Sequence, residues 1–206
     1  MVEETEIPEA VHAHHHHGHA HPDRFRRVSG IYVGVVALLL AISTLGGGRA
    51  TKEMLGASIR AADSYSFAQA KYLRQTAYEL AADQIEAQFI AYPAIPDEAK
   101  KSMSALVTRY RSAAARYASD PASGEGRREL LAKAKEWEKI RDHAEAQDPN
   151  FQFAAAGYQI AIVLASVAIT ASSPALLGLS AVGAAIATLL AINGFFLLVP
   201  LPSLGM

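Results

Sequence analysis

NFQFAAAGYQIAIVLASVAITASSPALLGLSAVGAAIATLLAINGFFLLVPLPSLGM, residues 150–206, is the stretch that decides the fold. It contains no Asp, Glu, Lys, Arg or His. A water-soluble domain cannot easily bury so much uncharged helix, whereas the hydrocarbon core of a bilayer can. Two apolar segments, 153–172 and 174–200, meet near Pro174, and each is about 30 Å long or more at about 1.5 Å per residue. The stretch therefore predicts a hairpin of two membrane-spanning helices.

A third apolar run, 28–45, predicts another membrane-spanning helix near the N-terminus. The run is uncharged and is preceded by Arg24, Arg26 and Arg27, as is typical of a membrane span. The alternative interpretation is a secretory signal peptide, for which this apolar core and its polar leader are long. Within the run, a G-x-x-x-G pattern starting at Gly30 allows two helices to approach closely. Alternatively, both glycines merely face lipid or the other spans.

Residues 49–150 carry most of the charge, with 16 Lys and Arg against 15 Asp and Glu. Their composition favours helix, and a Pro-Ala-Ile-Pro segment ends the first helix before Asp97 begins a second. A third helix is predicted from about Glu125 to Gln147. We therefore expect an insert of three helices, either an antiparallel bundle or a coiled-coil stalk standing on the membrane. The interleaved charges indicate a solvated face and argue against a nucleic-acid site.

Apolar faces are predicted on the insert helices and on the C-terminal hairpin. On the first insert helix, four-residue spacing places the face at Leu73, Ala77, Ala81, Ile85 and Phe89. On the third, the face comprises Leu130, Ala134, Trp137 and Ala144. Small residues recur in the hairpin at Gly157, Ala161 and Ala165 and at Gly183, Ala187 and Ala191, which permits close helix packing. We expect Asp148-Pro149-Asn150 to break the chain at the membrane surface.

Polar side chains are sparse in the three predicted spans. Asn193 is the most polar group deep in a span, and we expect it to need a hydrogen-bond partner there as part of helix packing. No Asp, Glu, Lys, Arg or His lies in any of the spans. Pumps and proton-coupled transporters normally need such a residue, so the pattern argues against this class of protein.

The N-terminal tail, residues 1–27, is acidic and then rich in histidine, and without apolar periodicity we expect it to be disordered. Several imidazoles on a flexible chain can bind one Zn, Ni or Cu ion. The candidate metal ligands are His12, His14, His15, His16, His17, His19 and His21. The alternative interpretation is a low-complexity tail that binds metal only incidentally. No other cofactor is expected.

The chain resembles a bacterial membrane-protein family known as domain of unknown function 4337. The resemblance rests on the acidic, histidine-containing tail and first span, on the helical stretch ADSYSFAQAK at 62–71, and on QIAIVLAS at 159–166, which opens the hairpin. It implies one span, a helical insert and two further spans. It implies no known activity and supplies no catalytic residues. This chain departs from the family in having Ser-Ser-Pro, rather than basic residues, between its last two spans.

The sequence offers no chemistry typical of an enzyme. Cysteine is absent, and there is no G-x-S-x-G, P-loop, H-E-x-x-H or dinucleotide-binding pattern. His143 lies among charged residues and is expected to be an exposed surface histidine. We therefore predict a structural or interaction protein that acts through its helical insert and small-residue span faces. The alternatives are a metal-binding accessory or sensor protein that uses the tail and a transporter subunit, for which Asn193 and Gln159 offer little polar material.

The predicted partners are the lipid bilayer and either further copies of the chain or another membrane protein, with no nucleic acid. The predicted location is the bacterial inner membrane, where the chain is multi-pass. Basic residues before the first span favour an N-terminus on the cytoplasmic side, which places the insert outside the cytoplasm. The basic residues near the span ends on the insert side favour the reverse orientation, but charge in a loop of about 100 residues counts less; they are Arg49, Lys52, Arg60, Lys133, Lys135, Lys139 and Arg141.

Overall fold

The computed structural model describes residues 20–199, with side chains from Arg24 onward. Over this range the chain is all-helical, and no strand occurs in it. The helices are α1 (Ala20–Ala91), α2 (Asp97–Ala118), α3 (Arg127–Thr170) and α4 (Pro174–Phe196). The predicted all-α class is confirmed, and α1, α3 and α4 are each long and apolar enough to cross a membrane. We call their apolar segments, 28–45, 153–170 and 174–196, the apolar half, and residues 46–152 the polar half.

Helix α1 forms the spine of both halves. It has 72 residues, which corresponds to roughly 110 Å at the usual rise. It continues without a break through Gly46, Gly47 and Gly48, where the predicted span ends and the predicted insert begins. It also starts at Ala20, so the last part of the predicted disordered tail is helical.

Helix α3 also crosses between the two halves, and here the predicted break at Asp148-Pro149-Asn150 is wrong. Pro149 lies inside the helix. A proline in this position removes one backbone hydrogen bond. The Asn150 side chain donates to the carbonyl of Ala146 in the same turn at 3.0 Å, while Phe151 and Ala154 on the next turn are buried. Packing on both sides of the proline keeps the helix continuous.

Helices α2 and α3 lie one after the other along the same face of α1, both antiparallel to it. Arg111 on α2 contacts Asp83 of α1 at 2.5 Å. Further along, the Arg60 guanidinium lies 4.6 Å from the Trp137 ring centroid of α3. Because α2 and α3 barely touch each other, the polar half consists of two-helix packing along α1 rather than three helices around one core.

The face of α1 that packs against α2 and α3 repeats every seven residues. We call it the inner stripe, and every one of its positions is buried or half-buried. It comprises Ser29, Val33, Val36, Leu40, Ser43, Gly47, Ala50, Met54, Ala57, Ala61, Ser64, Ala68, Lys71, Gln75, Tyr78, Ala82, Ile85 and Phe89. Alternating steps of three and four residues keep such a seam facing its partner when the helices supercoil left-handedly.

The opposite face of α1 has the same seven-residue repeat, and every one of its positions is exposed. We call it the outer stripe. It comprises Ile31, Gly34, Leu38, Ala41, Leu45, Gly48, Lys52, Leu55, Ile59, Ala62, Ser66, Gln69, Leu73, Thr76, Leu80, Asp83, Ala87 and Ile90.

The predicted apolar face on the first insert helix is therefore only partly right. Ile85 and Phe89 belong to the inner stripe and are half-buried, but Leu73 is 61% exposed and Ala77 is also exposed. Strict four-residue spacing advances about 40° per step around a helix of 3.6 residues per turn, so five such positions wander off one face. The predicted face on α3 is better placed, because Leu130, Ala134 and Ala144 are buried and Trp137 is half-buried.

In the apolar half, α3 lies between α1 and α4. A Cβ built on Gly157 would lie 3.0 Å from the Cβ of Ala187, so the glycine allows α4 to approach closely. Tyr158 donates to the Thr188 hydroxyl at 3.0 Å. Tyr32 of α1 is within 2.9 Å of the Ser180 hydroxyl of α4. The predicted small-residue faces do pack here, since four of their alanines are buried: Ala161, Ala165, Ala187 and Ala191.

The connection between α2 and α3 is fastened by a carboxylate from the first turn of α3. Glu129 accepts hydrogen bonds from the Ser119 hydroxyl at 2.6 Å and from the Asp120 backbone nitrogen at 3.1 Å. These bonds, with that of Ser119 the larger cause, lower the pKa of the Glu129 carboxyl below its ordinary value. A Cβ at Gly126 would overlap the Asp120 backbone, so glycine permits the loop to fold back on the helix.

Candidate functional site: the junction between the two halves

A buried phenylalanine occupies a notch made by glycines where the apolar and polar halves meet. Phe151 of α3 is 3% exposed. A Cβ on Gly46 would lie 2.6 Å from its ring, and one on Gly194 of α4 would lie 3.0 Å from it. Phe195 meets the same ring edge-on at a centroid distance of 4.8 Å. The notch therefore locks α1, α3 and α4 together at one level.

Beside this notch, two asparagines hold the end of α4. The Asn193 amide nitrogen donates to the Asn150 side-chain oxygen at 2.7 Å and to the Val199 carbonyl at 2.8 Å. The Asn193 side-chain oxygen accepts from the Val199 backbone nitrogen at 2.8 Å. Leu197 adopts a left-handed conformation with φ 47°, which turns the chain back over Asn193. The expectation that Asn193 needs a packing partner is confirmed.

A second polar cluster ties α1 to α3 in the same layer. The Thr51 hydroxyl lies 3.0 Å from both the Gly47 carbonyl and the Asp148 carboxylate. Gln152 donates to the other carboxylate oxygen of Asp148 at 2.5 Å. Together with the asparagine pair, these side chains form a belt of hydrogen bonds around the junction. Such a belt suits an interface between apolar and aqueous surroundings, where polar groups must be satisfied close to apolar helix.

A groove of about 330 Å³ opens on this layer, and its walls include Arg49, Glu53, His143 and Phe195. His143 is exposed, as predicted. The side chains present hydrogen-bonding and charged groups but no serine or cysteine nucleophile among the lining residues. The arrangement is suited to packing and to contact with surface polar groups.

Aromatic and basic residues cluster where α2 gives way to α3 along α1. Tyr78 stacks on Tyr117 with a centroid distance of 5.7 Å, and Lys71 lies 5.7 Å from the Tyr117 ring. Arg127 of α3 lies 5.3 Å from the ring of Tyr72. Tyr72 and Tyr78 on α1 thus contact other residues of the same chain. Phe67, by contrast, is 62% exposed.

The predicted metal ligands are not tested by the structure. His12, His14, His15, His16, His17 and His19 lie outside the described residues, and His21 lies in the first turn of α1 without a described side chain. Within the described part of the chain, no group of three or more His, Asp or Glu side chains could hold a metal ion. The metal site in the tail stays a prediction.

A model of the family Domain of unknown function (DUF4337) matches residues 25–197. The chain belongs to this family. The match covers all four helices apart from the first residues of α1, so the DUF4337 region includes both halves and the junction. No curated protein and no solved structure matches the chain.

The sequence predicts the role of Asn193 but not that of most other residues at the junction between the two halves. From the sequence the run Gly46-Gly47-Gly48 marks only the end of a span, because the ring that needs its space comes from Phe151, about 100 residues away in the chain. A signal did exist, since three consecutive glycines are costly inside a helix unless something approaches closely. Asn150 was assigned to a helix break, although it is 0% exposed and bonded to Asn193.

Proposed function

We propose that this protein is an integral membrane protein with a structural or interaction role, in which three membrane-spanning helices carry a helical stalk. The observation that carries the proposal is that α1 and α3 pass from the apolar half into the polar half without a break and pack together in both. A stalk joined to its anchor in this way holds its surface at a fixed orientation to the bilayer. The absence of catalytic sequence motifs supports a non-catalytic role.

Exposed apolar residues support the membrane anchor. Ile31 on α1 is 64% exposed, Val163 on α3 is 62% exposed and Leu189 on α4 is 68% exposed. Contiguous apolar surface of this kind is unfavourable in water but costs nothing against lipid tails. The hydrogen-bonded belt around Thr51, Asp148 and Asn193 then lies near one surface of the bilayer.

With three spans, the N-terminus and the α3–α4 turn lie on one side of the membrane and the stalk on the other. Arg24, Arg26 and Arg27 favour a cytoplasmic N-terminus. We propose that the protein resides in a bacterial inner membrane with the stalk outside the cytoplasm.

Cysteine labelling tests the topology, because the chain has no cysteine of its own. Ser123→Cys places an exposed thiol on the α2–α3 connection and Ser172→Cys places one on the α3–α4 turn. Ser64 is unsuitable, since it is 7% exposed. An impermeant maleimide should label Ser123→Cys in intact spheroplasts and Ser172→Cys only after lysis. The opposite pattern would reverse the orientation, and equal labelling of both in intact spheroplasts would contradict three spans.

Cross-linking in isolated membranes tests the interaction role. A lysine-reactive reagent should give a complex heavier than the monomer at the native expression level. Gly30→Leu and Gly34→Leu are informative variants, because both positions are exposed and a Cβ at either meets nothing within 4 Å in the chain. Weaker cross-linking in these variants is expected if this face of α1 takes part. Only monomer at every reagent concentration would count against the interaction role.

The alternative function is a metal-binding accessory or sensor protein, and the observation that favours it is the run of seven histidines between residues 12 and 21. Titration calorimetry of the purified protein with Zn²⁺ or Ni²⁺ should then show micromolar or tighter binding that is lost on deletion of residues 12–21. Unchanged binding after the deletion would remove this candidate, as would binding without any metal-sensitive growth phenotype.

A further inference from the structure

Large apolar residues recur along the outer stripe of α1, and the chain itself leaves them uncovered. In the polar half, Leu55 is 54% exposed, Ile59 63%, Leu73 61%, Leu80 56% and Ile90 85%. They occupy positions of the outer stripe, and the stripe positions between them are held by smaller or polar residues, Ala62, Ser66, Gln69, Thr76, Asp83 and Ala87. A helix that packs on one side only should be polar on the other, so this seam is not explained by the packing of the chain.

The polar half carries this inference. In the apolar half, lipid tails would cover exposed residues of the outer stripe, and their exposure there needs no further partner. Leu73, Leu80 and Ile90 lie far along the stalk, however, more than 25 residues beyond the end of the predicted span at Leu45. At about 1.5 Å per residue this distance exceeds about 40 Å. An ordered apolar seam at such a distance from the bilayer marks a site of protein association.

We propose that the occupant of the outer stripe is a second copy of this chain, and that the two α1 helices form a parallel two-stranded coiled coil. The proposal rests on the membrane anchor argued above, because two copies inserted in the same way must run parallel. The outer stripe of a second copy has the same period and the same length as the outer stripe of the first. Its surroundings also change from apolar to polar at the same level. A two-fold axis along the stalk would bring each outer-stripe residue against its equivalent.

The residues of the outer stripe suit this geometry in the apolar half. Gly34, Ala41 and Gly48 recur at seven-residue spacing, and a Cβ on either glycine would meet nothing within 4 Å in the chain. Between them stand Leu38 and Leu45, both exposed. Alternating layers of small and large residues let two helices approach closely and fill the space between them.

Only two residues of the outer stripe carry charge, and each fits the arrangement. Asp83 is paired within the chain to Arg111 of α2 at 2.5 Å, so its charge is compensated before any partner arrives. Lys52 occupies a position equivalent to the a position of a coiled coil. A single lysine there weakens association but favours two strands in one register. Replacing it with leucine, Lys52→Leu, should therefore strengthen the dimer.

The large apolar residues of the outer stripe supply more than half of the surface that a stable dimer requires. A leucine or isoleucine side chain contributes on the order of 100 Å² of apolar surface. Eight of these residues in the outer stripe, each exposed by more than half, therefore offer about 500 Å² before the small and flanking residues are added. Stable interfaces bury about 800 Å² per partner.

A cysteine scan across the stalk tests both the surface and the partner. Single cysteines at each position from 59 to 73, oxidised in native membranes, should give dimers that peak at Ile59→Cys, Ala62→Cys, Ser66→Cys, Gln69→Cys and Leu73→Cys. Inner-stripe variants such as Ala61→Cys and Ala68→Cys should stay monomeric. Ala132→Cys and Ala146→Cys, on the exposed face of α3, are matched controls and should also stay monomeric. Cross-linking without this period, or none at the peak positions, would overturn the inference.

Co-purification of two differently tagged copies gives a second measurement that does not depend on cysteines. Leu73→Asp combined with Leu80→Asp should weaken the association roughly tenfold or more, because two carboxylates per chain would be buried in the seam. Ala132→Asp combined with Ala146→Asp adds the same charge on α3 and should leave it unchanged. Circular dichroism should show equal helix content in both variants.

The outcomes separate this inference from the proposed function. An oligomer that survives the double substitution on α1 would place the interface elsewhere and overturn the inference while leaving an interaction role in place. Cross-links from the outer stripe to a different protein would do the same. Release of the protein from membranes by alkaline carbonate would instead contradict the membrane anchor, and with it both proposals.

Discussion

The two stripes of α1 lie on the same helix with the same repeat, yet the chain covers one and leaves the other exposed. Half of the inner-stripe residues are Gly, Ala or Ser, and only Leu40 and Ile85 are Leu or Ile. The outer stripe has eight Leu or Ile residues. The larger apolar side chains therefore point away from α3 and the smaller ones towards it. In this protein the intramolecular interface follows from how closely two backbones can approach, and not from which face is more hydrophobic.

Close approach has a physical advantage where helices sit in lipid, because the hydrophobic effect does not drive their association there and dispersion contacts must do so. Ala154, Ala161 and Ala165 of α3 are each at most 1% exposed. The polar half keeps the same geometry, with Ala57, Ala61 and Ala68 of α1 buried. Close helix packing through small residues thus occurs in both halves of the molecule.

The largest difference between a buried and an exposed position is expected for two phenylalanines of α3. Phe151 is 3% exposed in the glycine notch, whereas Phe153 is 45% exposed. Phe151→Ala should lower the free energy of unfolding by about 3–5 kcal/mol, because it empties a buried site. Phe153→Ala should change it by less than about 1 kcal/mol. Denaturant titration of the detergent-purified protein measures both, and equal effects would show that the notch does not hold the helices together.

Adjacent alanines of α1 compare the two stripes directly. Ala61 belongs to the inner stripe and is 4% exposed, and Ala62 belongs to the outer stripe. Ala61→Leu should destabilise the fold by about 1–3 kcal/mol through overpacking against α3. Ala62→Leu should leave the fold unchanged, because its side chain points away. Melting temperatures of the detergent-dissociated monomer, followed by circular dichroism, distinguish the two, and an equal loss in Ala62→Leu would mean that the outer face is packed within the chain.

Two glycines at the junction are expected to have smaller effects on fold stability, and these effects should have opposite signs. Gly46→Ala should destabilise the fold by about 1 kcal/mol, because its Cβ meets the buried Phe151 ring and outweighs the gain in helix propensity. Gly48→Ala meets nothing within 4 Å and should stabilise α1 by up to about 1 kcal/mol. Thermal unfolding of the two variants side by side gives the sign. A gain in both would show that the ring moves aside freely.

The smallest effect concerns the connection at which the inner stripe changes its partner from α2 to α3. Glu129→Gln should lower the melting temperature at neutral pH, since a neutral amide accepts the bonds of Ser119 and Asp120 less strongly. Because folding lowers the pKa of Glu129, its contribution is present above the unfolded pKa and is lost as pH falls through the folded pKa. The difference from wild type should therefore shrink below about pH 5. Glu136→Gln, at an exposed position of α3, is the control and should show no such trend.

The sequence was sufficient for the helical class and for the approximate positions of the elements. Pro96 and Asp97 mark the start of α2, which begins at Asp97, and Pro174 marks the start of α4. These signals are local, because proline and capping residues act within one turn. The prediction of a break at Pro149 was wrong because the signal is local. The contacts that Phe151 and Ala154 of α3 make with other helices override the preference of the proline.

The site was less accessible from the sequence than the helices were. Asn193 was recognised from its polarity, but its partner Asn150 is 43 residues away in the chain, and no local pattern connects them. The predicted face of α1 is wrong at Leu73, because hydrophobicity does not indicate burial here: Ala68 and Ala82 are buried, whereas Leu73 is exposed. Period and residue size together, rather than hydrophobicity, would have indicated the right face.

The unbroken course of α1 past Gly46 also has a mechanical consequence. From Gly46 to Ala91 the helix extends roughly 70 Å beyond the apolar half. A helix of this length acts as a lever, so a change in tilt of about 5° at the bilayer would move its far end by roughly 6 Å. In the proposed membrane anchor, where spanning helices respond to bilayer thickness by tilting, the far end of α1 would move by this distance.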